Sequence, residues 1–218
     1  MKSAFSTVLH YIIHLILPPI CPCCKREGRI LCEKCYQLVQ FNLQPVHTDL
    51  VCSEHLDEVK TLAIYQPPVS NLIRELKYHR VKLVAKQLAE LLFLHLSLPT
   101  ADLITGAPIS RKRLSQRGFN QAQLIADRLA ELARLPSPEI ITKHKDTKKQ
   151  ARSSFEERQA NLTDSLLVEA SQQPLIRRKS ILLIDDVIST GATLNECARV
   201  LKKAGAKQVF GVGIAQSL

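Results

Sequence analysis

Asp185 and Asp186 stand together after four apolar residues, Ile181-Leu182-Leu183-Ile184, and Ser189-Thr190-Gly191-Ala192-Thr193 follows two residues later. The apolar run, from Ser180 to Ile184, reads as a strand buried on both faces. A parallel strand meets ligands at its carboxyl end, where the next helix starts. Adjacent carboxylates repel and are costly to bury alone. A vicinal diol donating to both acids would relieve them, and a divalent cation would neutralise part of the charge. The turn beyond supplies the complementary half. Ser189, Thr190 and Thr193 carry hydroxyl donors, and Gly191 lets the backbone approach an anion. A helix expected from about Ala192 to Ala204 would aim its unpaired N–H groups and positive dipole end at the same spot. One end of the motif suits a sugar diol and the other a phosphate, together a ribose 5-phosphate. A Thr-capped helix after an ordinary strand would explain Thr193 but not paired acids with a Ser-Thr-Gly turn. No Gly-Lys-Ser/Thr follows the glycine, so this is not a Walker A loop.

A second constellation is sulfur-rich. Five of the seven cysteines fall between Cys21 and Cys35, and Cys21-x2-Cys24-x7-Cys32-x2-Cys35 forms two C-x2-C hooks around a spacer containing Gly28. Two such hooks complete a tetrahedral sulfur site, so a structural Zn²⁺ is expected on Cys21, Cys24, Cys32 and Cys35. Cys23 could replace Cys24 through a changed register. Cys52, with His47 and His55 nearby, reads as a free thiol and surface imidazoles rather than a second site. Cys197 reads as a small core residue. The clustering argues for metal and a reducing compartment over a disulfide scaffold.

These groups need a scaffold, and the periodicity supplies one. Near the start, Phe5, Val8, Leu9, Ile12, Ile13 and Ile16 form one helical stripe that Pro18-Pro19 ends. It is too short to span a bilayer and lacks a small-residue cleavage site, so a helix packed on its own protein is expected, ahead of an interfacial membrane helix. "TLAIY", Thr61 to Tyr65, reads as a strand. Ser70 then serves as N-cap for a helix through Leu72, Ile73 and Leu76, and a second helix carries Val84, Leu88, Leu91 and Leu92. Asp102 to Pro108 reads as a buried strand meeting a turn, "SRKRLSQRGFNQ" as a basic loop, and Ala122, Leu124, Ile125 and Leu129 as a helix. "EIIT" is a short strand candidate, and "KHKDTKKQARSSFEERQAN" a long exposed basic loop. Beyond the Ala192 helix come a glycine cap and a last strand. Alternating strands and helices give an α/β fold, a mostly parallel sheet with helices on both faces. A boundary near residue 60 separates an N-terminal helix and zinc-binding module (1–60) from that α/β domain (61–218). The formal net charge of +10 points to polyanionic partners, and sparse aromatics without Trp argue against an aromatic cage.

"ILLIDDVISTGAT" resembles the phosphoribosyl-pyrophosphate (PRPP) signature of type I phosphoribosyltransferases. That resemblance implies that Asp185 and Asp186 hold the ribose hydroxyls and that Val187, Ile188, Ser189, Thr190, Gly191, Ala192 and Thr193 wrap the 5-phosphate. It also implies that Mg²⁺ enters with the pyrophosphate. A zinc module ahead of such a motif is similar to the ComF family of competence proteins (ComFC and GntX types). "PISRKRLSQRGFNQAQLIA" matches its Arg-Gly-Phe-Asn-Gln segment, "IRELKYHR" its Lys-Tyr segment, and Thr147, Gln150, Glu157, Arg158 and Asn161 its downstream loop. Departures include His79-Arg80 in place of the glycine after Lys-Tyr, Ala107-Pro108 for Val-Pro, Lys143 for Arg and Lys149 for Pro. The resemblance implies a cytoplasmic protein of natural transformation, near the inner membrane, that handles single-stranded DNA with a ComFA helicase and the DprA recombination mediator as partners. Arg111, Lys112, Arg113 and Arg117 would contact pyrophosphate or DNA phosphate. Further basic groups occur at Lys143, Lys145, Lys148, Lys149 and Arg152, and at Arg177, Arg178 and Lys179. An active transferase on an unidentified acceptor and a PRPP-responsive regulator remain the alternative readings.

Overall fold

The computed structural model describes residues 18–42, 54–79, 81–144 and 165–217. The Phe5–Ile16 stripe, His47, Cys52, Arg80 and the basic loop beyond His144 lie outside them. Four parallel strands form the main sheet in the order β1-β6-β5-β2. These are β1 (Glu58–Ile64), β2 (Leu103–Gly106), β5 (Ser180–Ile188) and β6 (Gln208–Gln216). A two-stranded antiparallel ribbon, β3 (Thr142–Lys143) with β4 (Leu166–Leu167), stands apart.

The two central strands are apolar on both sides, as burial under two helical layers demands. Leu182 and Ile184 of β5 join one core with Leu62, Leu72, Ile73, Leu88, Leu92, Ile125 and Leu129. Ile181 and Leu183 join the other, with Ile176, Leu194, Cys197, Ala198, Leu201 and Val209. The first layer is α2 (Val69–Arg74), continued by a π-helical turn (Glu75–His79), with α3 (Leu83–His95) and α5 (Gln121–Ala133). The second is α6 (Gln173–Ile176) and α7 (Ala192–Lys203), which Gly205 closes at φ +98°. The short α1 (Glu33–Tyr36) sits in the cysteine segment, and Cys21, Leu31, Cys32, Cys35 and Val39 share the first core.

Several local expectations change. β1 starts three residues before "TLAIY". It is an edge strand, so Glu58 and Lys60 can extend the pairing while their side chains form a 2.9 Å ion pair. Pro68, not Ser70, is the N-cap of α2; Ser70 lies inside the helix and is buried. "SRKRLSQRGFNQ" is not a loop. Ser110 caps α4 (Arg111–Arg117) by accepting the Arg113 N–H, and Gly118 ends it at φ +80°. In "EIIT", Ile140 and Ile141 are buried in the second core, and pairing begins only at Thr142.

One contact sets the position of α5. A methyl group on Gly106, the last residue of β2, would lie 2.4 Å from the Gln123 backbone nitrogen. The helix start therefore rests directly on the strand end. The Gly106 N–H donates to Gln123 Oε1 at 2.8 Å, and Asn120 caps the helix at Ala122 while donating to the Ala107 carbonyl. Gly106→Ala should destabilise the fold by about 1–3 kcal/mol through overpacking against backbone. Thermal denaturation should show a fall of roughly 2–10 °C. An unchanged melting temperature would mean that α5 can lift from β2 without cost.

Candidate functional site

β5 does not end at Ile184. Pairing with β6 continues through Asp185↔Gly213, Val187↔Ala215 and Ile188↔Gln216, so both acids are strand residues. Consecutive strand residues point to opposite faces. Asp186 therefore turns to the layer of α3 and α5, and Asp185 to that of α7. Asp186 is 5% exposed and both its oxygens are taken: Lys77 Nζ donates to Oδ1 at 2.7 Å, and Gln121 Nε2 to Oδ2 at 2.6 Å. Asp185 is half-buried and accepts the Asp186 N–H at 2.8 Å. Its surroundings are crowded, and burial pushes the Asp185 carboxyl up to about 7, with the Asp186 charge adding to the rise. The Asp186 N–H, Lys77 and Arg113 pull it down by less.

Past Ile188, the turn leaves the helix start open. Gly191, at φ +72° where a side chain would be strained, is the N-cap of α7, and no side chain caps that position. The nearest approach is the Ala192 N–H to Thr190 Oγ1 at 3.5 Å. Thr193 is the second residue of the helix and so is not its cap. That long contact to Thr190 is the one side-chain acceptor given to a first-turn N–H among the described residues, and the start of a helix of 12 residues faces an anion favourably. Ser189 is exposed and Thr190 and Thr193 half-buried.

The four basic residues all lie on α4. Arg111, Lys112 and Arg113 are exposed, and the Arg113 charge is felt at Asp185. Arg117 lies over the exposed Tyr78 ring, 5.7 Å from its centroid, with a buried Nη1 that has no partner among the described residues. Arg111 also lines a cavity of about 570 Å³ with Phe119, Asn120, Leu124, Ile141 and Lys143. Lys77 and Gln121 complete the acid pair; the resemblance marked their segments, Lys-Tyr and Arg-Gly-Phe-Asn-Gln, but nothing in the sequence assigned either residue to Asp186. Partners 109 and 65 residues away from Asp186 leave no local pattern that would join them to it.

At the other end of the first core, the sulfur atoms of Cys21, Cys24, Cys32 and Cys35 lie within 4.8 Å of one another. Tetrahedral Zn²⁺ with four thiolates needs sulfurs about 3.8 Å apart, so the set fits such an ion. Cys23 is outside it, donating instead to the Pro68 carbonyl at 3.5 Å. The thiols are electrostatically unequal. Burial pushes Cys21 up, but backbone N–H groups of Cys32, Cys24 and Cys23 outweigh it and hold the thiol at about 6. Burial and the neighbouring thiols push Cys35 well up. Four sulfurs this close ionise together only around a cation. The module is fastened to α3: Tyr36 Oη and His95 Nε2 share a 2.8 Å hydrogen bond, and Phe41 stacks on His95 at 4.2 Å. Among the described residues, no helix is long and apolar enough to cross a membrane.

Comparison with known proteins adds family context. Residues 115–215 match the family described as phosphoribosyl transferase domain. "Competence protein F" of Haemophilus influenzae is 29% identical over 94% of this chain and 93% of its own length. "DNA utilization protein YhgH" of Escherichia coli K12 is 30% identical over 87% of each chain. "Competence protein ComFC" of Streptococcus pneumoniae is 28% identical over 87% of this chain and 77% of its own. The parallel sheet with helices on both faces, joined to a four-cysteine module that could bind zinc, is a type I phosphoribosyltransferase-like fold.

Two outcomes follow from this geometry. Asp185 has a raised folded-state pKa, so stability is fully present below about pH 4 and is lost as pH rises through about 7. Asp185→Asn cannot ionise. Its melting temperature should track wild type near pH 4 and exceed it above pH 7, and parallel curves from pH 4 to 8 would contradict the raised value. Cys21→Ser should lose zinc and destabilise the module. A variant that retains one zinc per chain by elemental analysis would refute the four-cysteine set.

Proposed function

The chain belongs to the ComF family of phosphoribosyltransferase-like proteins, and from that premise we propose that it serves DNA uptake while binding PRPP at the carboxyl end of β5. One observation carries the PRPP reading: a buried strand bearing two acids runs through a Ser-Thr-Gly turn into a helix whose N-cap is glycine. The Asp185–Asp186 pair at the end of β5 supplies carboxylate for the ribose hydroxyls. Val187 to Thr193 wrap the 5-phosphate, with backbone N–H groups and the hydroxyls of Ser189, Thr190 and Thr193 donating. Arg111, Lys112, Arg113 and Arg117 meet the pyrophosphate, which brings Mg²⁺ with it. Zn²⁺ on Cys21, Cys24, Cys32 and Cys35 is structural, since four sulfur ligands leave no open position for substrate.

The same basic helix supports binding of single-stranded DNA. None of its residues is buried, and the whole chain carries a net charge of +10. Such binding should weaken steeply with salt as counterions are released. A second reading, active transfer of the phosphoribosyl group to an acceptor, is favoured by the cavity of about 570 Å³ beside α4, which has room for a small acceptor. In that reading the bond from ribose C1 to the pyrophosphate oxygen breaks and a bond to the acceptor forms. The protein would contribute positioning and electrostatic stabilisation of the charged ribose.

The test is calorimetric titration of PRPP with Mg²⁺. Wild type should bind, and a folded Asp185→Asn/Asp186→Asn variant should lose at least about 100-fold in affinity, or about 2.7 kcal/mol. Equal affinity in the two would refute the site. Pyrophosphate release with an acceptor would establish the transferase reading. PRPP-dependent DNA affinity without turnover would make the protein a PRPP-responsive binder.

A further inference from the structure

The two acids of β5 look equivalent in the sequence but occupy different environments. Asp186 is sealed in, with one oxygen on Lys77 and the other on Gln121. Lys77 is held at 2.7 Å with its own side chain 18% exposed, so this is a mostly desolvated ion pair and not a surface contact. It comes from a π-helical turn, a geometry that shifts one residue out of the α-helical phase of α2 and is frequent at functional sites. Asp185 accepts a single hydrogen bond among the described residues, from the backbone of its neighbour, and is only half-buried.

We propose that Lys77 is a positioning residue: by pairing with Asp186 from the π-turn it neutralises that acid and leaves Asp185 as the carboxylate that takes the ligand's ribose hydroxyls. The inference rests on the ribose 5-phosphate reading above. The charge arithmetic favours the division. Two adjacent carboxylates at one strand end resist ionising together, and one fixed cation against one of them lets the other ionise with less repulsion. The charged and titratable groups around the pair are Lys77 on the π-turn, Arg113 on α4, and Cys197 on α7, where Glu196 of the same helix and Lys143 of β3 are also felt. Gln121 on α5 is neutral. Lys77 contacts Asp186 directly.

PRPP with Mg²⁺ would be titrated from pH 5.5 to 8.5 into wild type, Lys77→Met, Asp186→Asn, the Lys77→Met/Asp186→Asn pair, and Asp185→Asn. Lys77→Met should weaken binding about tenfold at pH 7 and raise the pH of half-maximal affinity by about one unit. Removing the stranded acid as well should return affinity to within about threefold of wild type, because nothing is then left to neutralise. Asp185→Asn should lose binding at every pH. The proposal is overturned if Asp186→Asn alone loses as much as Asp185→Asn, since Asp186 would then hold the ligand itself. It is also overturned if Lys77→Met lowers affinity equally at all pH values with a shallower salt dependence, since Lys77 would then be contacting phosphate. If wild type binds no PRPP, the ribose 5-phosphate reading fails, and with it the ligand role of Asp185. Melting temperatures of the same proteins then read the pairing separately: additive losses for Lys77→Met and Asp186→Asn would reject it, and a double variant more stable than Lys77→Met would retain it.

Discussion

Two neighbouring carboxylates at the end of a central, doubly covered strand set the terms for the rest of this site. Asp185 and Asp186 cannot share one solution, because the pleat sends them to opposite faces of the sheet. On one face the charge is met within the protein by Lys77 and Gln121. Gln121 opens α5, and α5 is fixed in turn by the Gly106 contact, the Gln123 hydrogen bond and the Asn120 cap. The ion pair thus depends on a chain of short-range constraints running from β2 through a helix start to β5. On the other face no described residue gives Asp185 a direct counter-charge, and burial pushes its carboxyl up to about 7.

The two ends of the site that could face an anion are built from different helix starts. α4 begins with its own cap, Ser110, so its Arg and Lys side chains and not its backbone carry the positive field. α7 begins at Gly191 without a side-chain cap, and there the backbone itself provides the donors. A ligand with phosphates at both ends of a ribose would meet backbone at one and side chains at the other. The Arg113 charge of α4 reaches Asp185, one of the acids before the start of α7.

The cysteine segment is part of the same energetic unit. Its buried residues sit in the core that includes α2, α3, α5 and β5, and His95 ties Tyr36 and Phe41 to the end of α3. Losing the ion that could hold four sulfurs within 4.8 Å would therefore loosen one side of the helical layer over Asp186.

The strongest local signals were legible without a structure. The apolar strand before Asp185, the Ser-Thr-Gly turn, the paired C-x2-C hooks and the periodic helices at Val84–Leu92 and Ala122–Leu129 each follow from contiguous residues, because period and turn chemistry are local properties. Element limits were less legible. β1 and β5 run longer than their apolar runs because ladder pairing with β6, not side-chain hydrophobicity, decides where a strand ends. The basic stretch after Ser110 reads as a loop by composition, yet the Ser110 and Gly118 caps make it a helix. The sequence by itself determined which residue types could meet a diol, a phosphate and a metal ion. Only the tertiary structure decided that Asp186 is held by two side chains while Asp185 accepts, among the described residues, a backbone N–H alone, since Lys77 and Gln121 reach Asp186 from 109 and 65 residues away, across contacts that no local pattern encodes.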